Sequence, residues 1–211
     1  MSPARFLTFE GADGCGKTTQ MALLAEALRA EGRDVTTTFE PGGTEVGRAI
    51  RKILLDHTGA APTPTAELLL YFANRAQNVV EVIRPALDQG HTVLCDRFTD
   101  STRAYQGAGR GLDTAIIDAL DRIACRGLRP DCTVVIDIPL DVSLERAHRR
   151  NAGTGSRETR MDDQSGAFHQ RVREAFHTMV RAEPERFVLI DGDAAIETVH
   201  ARIREALSGR V

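Results

Sequence analysis

A chain of 211 residues, of which 42% are hydrophobic and 27% charged, is long enough to bury the core of one globular domain. Its formal net charge of −3 provides no overall positive field, so we expect neither nucleic acid nor an anionic membrane among its partners. No apolar run approaches the roughly 20 residues that cross a bilayer, and the first predicted strand leaves no room for a signal peptide before it. We therefore expect a cytoplasmic protein with a single domain over residues 1–211.

The predicted elements alternate between strands and helices. Short runs of apolar and β-branched residues predict the strands, and apolar residues at helical spacing predict the helices. In chain order they are strand 5–10, helix 17–30, strand 34–39, helix 45–55, helix 65–87, strand 92–96, helix 112–125, strand 132–138, helix 141–150, helix 166–183, strand 187–191 and helix 195–207. Pro85 is expected to bend or end the long helix 65–87. The alternation predicts an α/β fold, a five-stranded parallel sheet with helices on both faces.

The turn after the first predicted strand carries the pattern G-x-x-x-x-G-K-[ST] and leads into a helix. It consists of Gly11, Ala12, Asp13, Gly14, Cys15, Gly16, Lys17 and Thr18, and Thr19 follows it. Glycines allow consecutive backbone N–H groups to face phosphate oxygens, and the helix amino terminus adds partial positive charge. Lys17 would place its charge at the β- and γ-phosphates, and the Thr18 hydroxyl would bind Mg²⁺. This pattern predicts an ATP site with Mg²⁺ as cofactor, in a P-loop NTPase fold.

The P-loop identifies the phosphoryl donor and leaves the acceptor open. No asparagine precedes a lysine, so the N-K-x-D sequence with which GTPases read guanine is absent. Motor and transport ATPases are usually far larger. The size and the additional motifs favour a nucleoside or nucleotide kinase, with a non-enzymatic nucleotide switch as a less favoured alternative.

Three further segments narrow the choice. Segment 40–44 is E-P-G-G-T, segment 71–77 is Y-F-A-N-R-A-Q, and segment 96–107 is D-R-F-T-D-S-T-R-A-Y-Q-G. Together with the P-loop they resemble thymidylate kinases of the bacterial type, from the first strand to about residue 176. The resemblance implies transfer of the γ-phosphoryl group of ATP to dTMP, giving dTDP and ADP for dTTP biosynthesis. It also implies a homodimer.

Polar residues at the end of the third predicted strand suit the acceptor phosphate and the metal. Arg97 can offer a planar fork to a phosphate, and Asp96 stands where a carboxylate reaches Mg²⁺ through water. The resemblance places Asp13 against the acceptor's sugar and phosphate. It places Tyr105 against the sugar, where this side chain disfavours a 2′-hydroxyl.

Residues expected to surround the base come from two helices. Tyr71 and Arg75 are four residues apart and share a helix face, so a ring can stack on a pyrimidine while the guanidinium donates to a base carbonyl. The resemblance identifies this pair as the group that reads thymine. It puts Thr102 near the base, and Gln106 is a further candidate for the pocket wall.

The role of Glu40 differs between the two kinase hypotheses, a nucleoside kinase and a nucleotide kinase. A nucleoside kinase needs a carboxylate base to deprotonate a neutral hydroxyl, whereas a nucleotide kinase attacks with a phosphate oxygen that is already anionic. Glu40 could act in either kind of kinase. Arg97 and the rest of segment 40–44 favour the nucleotide kinase, with Glu40 near the acceptor's sugar and a deoxynucleoside kinase as the alternative.

An arginine-rich region supplies the predicted lid, at about residues 150–163. The P-loop contains no arginine, so charge for the migrating phosphoryl group must come from elsewhere, and Arg160 and Arg157 are the candidates. The resemblance matches the family pattern D-R-x-E to residues 159–162, with Thr159 and Asp162 as departures. Arg146 is the candidate for stacking on adenine.

A second departure from the family lies at the end of the second predicted strand. Phe39 stands where many relatives have an arginine. This removes one cation near the acceptor phosphate, and Arg48 or Arg51 could compensate.

Overall fold

The computed structural model describes residues 5–154 and 157–210. The strands are β1 (Phe6–Glu10), β2 (Val35–Phe39), β3 (Thr92–Asp96), β4 (Cys132–Asp137) and β5 (Phe187–Asp191). The α-helices are α1 (Lys17–Ala30), α2 (Glu45–Leu55), α3 (Pro64–Asn78), α4 (Arg84–Asp88), α5 (Thr99–Thr102), α6 (Thr114–Cys125), α7 (Leu140–Thr154), α8 (Gly166–Ala182) and α9 (Ile196–Leu207). In the described part of the chain, no helix has the length and apolar character that a membrane crossing needs.

All five strands form one parallel sheet in the order β2-β3-β1-β4-β5. Every residue of β1 is buried, as expected for a central strand with helices on both sides. Leu7 and Phe9 of β1 pack with α1 and α9 on one face, whereas Phe6 packs with α3 and α6 on the other. The predicted five-stranded parallel α/β fold is confirmed, and it brings the ends of β1, β2 and β3 to a common edge.

The predicted helix 65–87 is a composite. Helix α3 passes into a π-helical segment, Val79–Ile83, and then into α4, so the helix continues through Pro85 and ends at Asp88. Proline has no N–H to bond to the carbonyl four residues earlier, and the wider turn directly before it accommodates that missing bond. A second π-helical segment, Arg103–Gly109, extends α5.

Helix α7 is longer than predicted. It continues past residue 150 to Thr154, so the first part of the predicted lid is helical. Residues 155 and 156 of the predicted lid lie outside the described residues.

Candidate functional site

A cavity of about 820 Å³ opens at the carboxyl ends of β1, β2 and β3. Most of the predicted site residues line it. They are Asp13, Gly14, Gly16, Lys17, Thr18, Thr19, Glu40, Tyr71, Arg75, Asp96, Arg97, Thr102, Tyr105, Gln106 and Arg146. Such a volume is in the range of small-molecule sites.

The P-loop wraps tightly at one end of the cavity. Gly11 has a φ of 132°, and a Cβ there would lie 2.3 Å from the carbonyl oxygen of Ile136, so only glycine fits. The Lys17 ammonium donates to the carbonyls of Gly11 (3.1 Å) and Ala12 (2.7 Å). Cys15 is buried in the core. Among the described residues, no side chain caps the amino terminus of α1, and N–H groups at such a terminus can bind phosphate oxygens.

The two predicted metal ligands meet in the structure. The Thr18 hydroxyl donates to Oδ2 of Asp96 at 2.6 Å. Hydroxyl and carboxylate oxygens are donors that Mg²⁺ prefers, so this pair fits the ion. Within residues 5–154 and 157–210, no cluster of three or more His, Cys, Asp or Glu side chains could hold a metal by itself. Phosphate oxygens and water would complete the coordination.

Arg97 lies at the centre of the cavity's polar network. Its Nη2 contacts Oδ1 of Asp13 at 2.7 Å and its Nη1 donates to Ser101 at 3.0 Å. The Tyr105 hydroxyl donates to the other oxygen of Asp13 at 3.0 Å. Burial opposes ionisation of Asp13, but the charges of Arg97 and Lys17 outweigh it and hold the pKa of this carboxyl well below its usual range. The structure therefore brings Asp13, Arg97 and Tyr105 together.

Arg75 lies at the other end, in a site closed to solvent. Its Nε donates to Oε2 of Glu40 at 2.8 Å, and both side chains are 1% exposed. Asn78 donates to the second oxygen of Glu40 at 3.0 Å. The Arg75 Nη1 atom and the Thr102 hydroxyl oxygen are both buried without a hydrogen-bond partner. Buried polar atoms of this kind are normally satisfied, so they indicate a ligand that supplies the missing bonds.

Glu40 therefore supports Arg75. Burial raises the pKa of the Glu40 carboxyl, and the adjacent guanidinium lowers it in part. Both oxygens already accept hydrogen bonds from Arg75 and Asn78. This arrangement orients the arginine for a ligand. Glu40 also lines the cavity, and its place near the acceptor's sugar stays a prediction.

The two lid arginines do not line the cavity. Arg157 is exposed, and its backbone carbonyl accepts from the N–H of His57. The Arg160 side chain donates to the carbonyl of Ile53 at 3.2 Å, and its Nε and Nη1 are buried without a partner. The reason is local packing, because the segment that carries both arginines is bonded through its backbone to the end of α2.

Arg51 lines the cavity close to Phe39, the position where the family resemblance predicts an arginine. Its guanidinium lies 5.8 Å from the Phe39 ring centroid and donates to the carbonyl of Pro41 at 2.8 Å. It also pairs with Glu158 at 2.8 Å. Of the two cations expected to compensate for Phe39, Arg51 is the one at the cavity.

Arg146 flanks the P-loop from α7. A Cβ added to Gly14 would lie only 3.1 Å from the Cβ of Arg146, so α7 packs closely against the P-loop here. The Arg146 guanidinium is 3.7 Å from Asp193. This places a planar cation at the rim of the P-loop, where a base could stack.

Glu10 was missed by the sequence analysis. It is fully buried, and it accepts from the N–H groups of Phe98 (2.8 Å) and Ser101 (3.2 Å) and from the Ser101 hydroxyl (2.5 Å). Burial raises the pKa of this carboxyl to about 7. These bonds hold the turn that follows Arg97, whose own φ is 69°. The only available signal was a carboxylate that ends an apolar strand.

The sheet, the P-loop and a cavity that also contains Arg97 and Arg75 define a P-loop kinase that phosphorylates a small acceptor. The family model "Thymidylate kinase" matches residues 9–203. The chain belongs to the thymidylate kinase family, and the sequence-based assignment to it as an ATP:dTMP phosphotransferase is confirmed.

Curated relatives and a solved structure give the same result. The chain is 52% identical to a thymidylate kinase of Citrifermentans bemidjiense over 98% of this chain and 92% of the relative. It is 49% identical to a thymidylate kinase of Geobacter sulfurreducens over 98% of this chain and 97% of the relative. The crystal structure of thymidylate kinase from Ehrlichia chaffeensis superposes with a TM-score of 0.78 and 34% identity, over 98% of this chain and 99% of that one.

Proposed function

We propose that the whole chain works as one nucleoside monophosphate kinase domain, with both nucleotides bound end to end in the 820 Å³ cavity. Mg·ATP lies at the P-loop and dTMP lies between Arg97 and Arg75, so that the γ-phosphoryl group moves in line to the acceptor phosphate. The observation that carries this proposal is the pair of orphaned polar atoms on Arg75 and Thr102 in a cavity that also contains Arg97.

The donor half depends on Lys17, the P-loop N–H groups and Arg146. Lys17 balances charge on the β- and γ-phosphates, and Arg146 stacks on adenine. Thr18 and Asp96 hold Mg²⁺, which neutralises phosphate charge when it is bound. Support comes from the 2.6 Å contact between these two side chains.

The acceptor half depends on Arg97, Asp13 and Tyr105 at the sugar and phosphate. Arg97 binds the phosphate with a planar fork, and Tyr105, held by Asp13, packs against the sugar. The attacking oxygen is already anionic, so these residues align it and neutralise its charge without a base. Arg51 supplies the second cation that Phe39 cannot provide.

The base lies against Tyr71, Thr102, Gln106 and Arg75. Arg75 donates from Nη1, and Glu40 fixes its plane. From the lid, Arg160 and Arg157 provide charge to the migrating phosphoryl group. Support for Arg160 is its two unpartnered guanidinium nitrogens.

The test is ADP release from ATP with the common nucleoside monophosphates and with thymidine, each with and without Mg²⁺. Turnover should be fastest with dTMP, negligible with thymidine and dependent on Mg²⁺. Turnover with thymidine but not with dTMP would show a deoxynucleoside kinase and overturn the proposal.

The chain is further proposed to act in the cytoplasm as a homodimer. Support comes from large apolar side chains that remain exposed on α3, the adjoining π-helical segment and α6, which packs beside α3. They are Leu69, Val80, Ile116 and Ile123, the last 71% exposed. Exposed apolar groups on adjacent elements are typical of a surface that another copy covers.

Ile123→Glu should convert the dimer to a monomer, because a carboxylate would be buried without a partner. Sedimentation equilibrium measures the mass of both proteins. Asp118→Asn, on the same helix and away from the cavity, serves as the control and should keep the dimer mass. A wild-type protein that is monomeric at micromolar concentration would contradict the homodimer.

A further inference from the structure

The Gln106 amide is held in one orientation at the cavity wall. Gln106 lies in the π-helical segment Arg103–Gly109 and lines the cavity. Its Nε2 donates to Oε1 of Glu67 on α3 at 2.8 Å. Glu67 is almost fully buried and is 39 residues away in sequence.

Glu67 accepts hydrogen bonds from two sides. Arg110 donates to it from Nη2 at 3.1 Å and from Nε at 3.3 Å. Arg110 in turn donates to Gln164 at 2.8 Å and lies 5.2 Å from the Phe168 ring centroid. A carboxylate paired with a guanidinium only accepts, so the Gln106 amide must present its nitrogen to Glu67. The amide oxygen is then the atom left for a ligand.

The cavity wall therefore offers both an acceptor and a donor. The acceptor is the Gln106 amide oxygen, and the donor is the unpartnered Nη1 of Arg75. Thymine and uracil present an N3–H donor next to the O4 acceptor, which complements this pair. Cytosine presents an N3 acceptor next to an amino donor, which would leave both protein groups unpaired.

We propose that Glu67 is a specificity-determining residue that acts through Gln106, whose amide it orients so that the oxygen faces the N3–H of the bound pyrimidine. Glu67 itself does not touch the substrate and is a positioning residue. The inference rests on the proposed function, since the base must lie in this cavity.

Glu67→Gln tests this directly. The new amide can donate or accept, so Gln106 loses its single orientation while the volume of the side chain is kept. The ratio of kcat/KM for dTMP to that for dCMP should fall roughly tenfold, mainly through a higher KM for dTMP. The ratio of dTMP to dUMP should stay within about twofold, because both bases present the same N3–H and O4. A general loosening of the pocket would not lower the dTMP/dCMP ratio while leaving the dTMP/dUMP ratio unchanged.

A matched control and a double-mutant cycle complete the test. Asp118→Asn makes the same carboxylate-to-amide change against Arg103 of the same π-helical segment and should leave both ratios unchanged. Gln106→Met should lower the dTMP/dCMP ratio by itself, and Glu67→Gln combined with it should lower the ratio no further.

The outcomes separate this inference from the proposed function. A wild-type protein that does not use dTMP would refute the function. If the wild type prefers dTMP to dCMP and Glu67→Gln keeps that preference, the inference alone is overturned. Additive losses in the double variant would also overturn it. Should Glu67→Gln not fold, as judged by circular dichroism, Gln106→Met still decides, because an unchanged ratio in that variant excludes base reading by Gln106.

Discussion

Arg97→Met is expected to lower kcat/KM for dTMP by roughly two to three orders of magnitude. Within the residues that the structure describes, Arg97 is the only side chain that contacts Asp13, Ser101 and Tyr105 together. Its substitution also removes the planar guanidinium that binds a phosphate. Methionine keeps the apolar stem, so the loss reports the charge. Steady-state kinetics with dTMP varied at saturating ATP measure the effect.

The control for Arg97 is Arg103→Met. Arg103 lies six residues further along, pairs with Asp118 at the surface and does not line the cavity. Its removal should change kcat/KM by no more than about twofold. The two variants are compared at saturating ATP, because Arg97 also donates to the P-loop carbonyl of Gly11 and contacts Asp13. A loss below about tenfold in Arg97→Met would contradict the role of Arg97 at the acceptor phosphate.

Glu40→Leu is expected to lower the free energy of unfolding by about 3–5 kcal/mol. The reason is that the Arg75 guanidinium, 1% exposed, would remain charged in the interior without its partner. Urea denaturation at neutral pH measures the change. Arg75→Met should also be destabilising, because it leaves the Glu40 carboxylate buried with only Asn78.

The double variant separates the ion pair from its two partners. Glu40→Leu combined with Arg75→Met should be less destabilised than the sum of the two single variants, since no unpaired charge remains. It should nevertheless bind dTMP poorly, because the donor on Arg75 is gone. Glu145→Leu removes half of an exposed pair with Arg149 and should change stability by no more than about 0.5 kcal/mol. If Glu40→Leu behaved like this control, the buried pair would not contribute as argued.

The lid shows what a correct family assignment leaves open about individual side chains. The sequence predicted Arg157 and Arg160 at the phosphoryl group, but in the structure their segment is bonded to the end of α2 and neither lines the cavity. From the sequence, Arg51 was only one of two candidates to compensate for Phe39, and its contacts with Phe39 and Pro41 place it at the site. Which arginine faces a cavity depends on the neighbouring element, and spacing along the chain does not contain that information.

The sequence by itself determined the alternation of strands and helices, the P-loop and the polar residues at the ends of β1, β2 and β3. These features are local, because a glycine pattern, a periodicity or a strand end acts over a few residues. Only the tertiary structure decided that Glu10 holds the turn after Arg97, that Glu40 supports Arg75 and that Glu67 orients Gln106. Each of these contacts joins residues 35 to 91 positions apart. A buried carboxylate must find donors wherever the packed elements bring them, so its partner is set by how the helices and strands lie against one another.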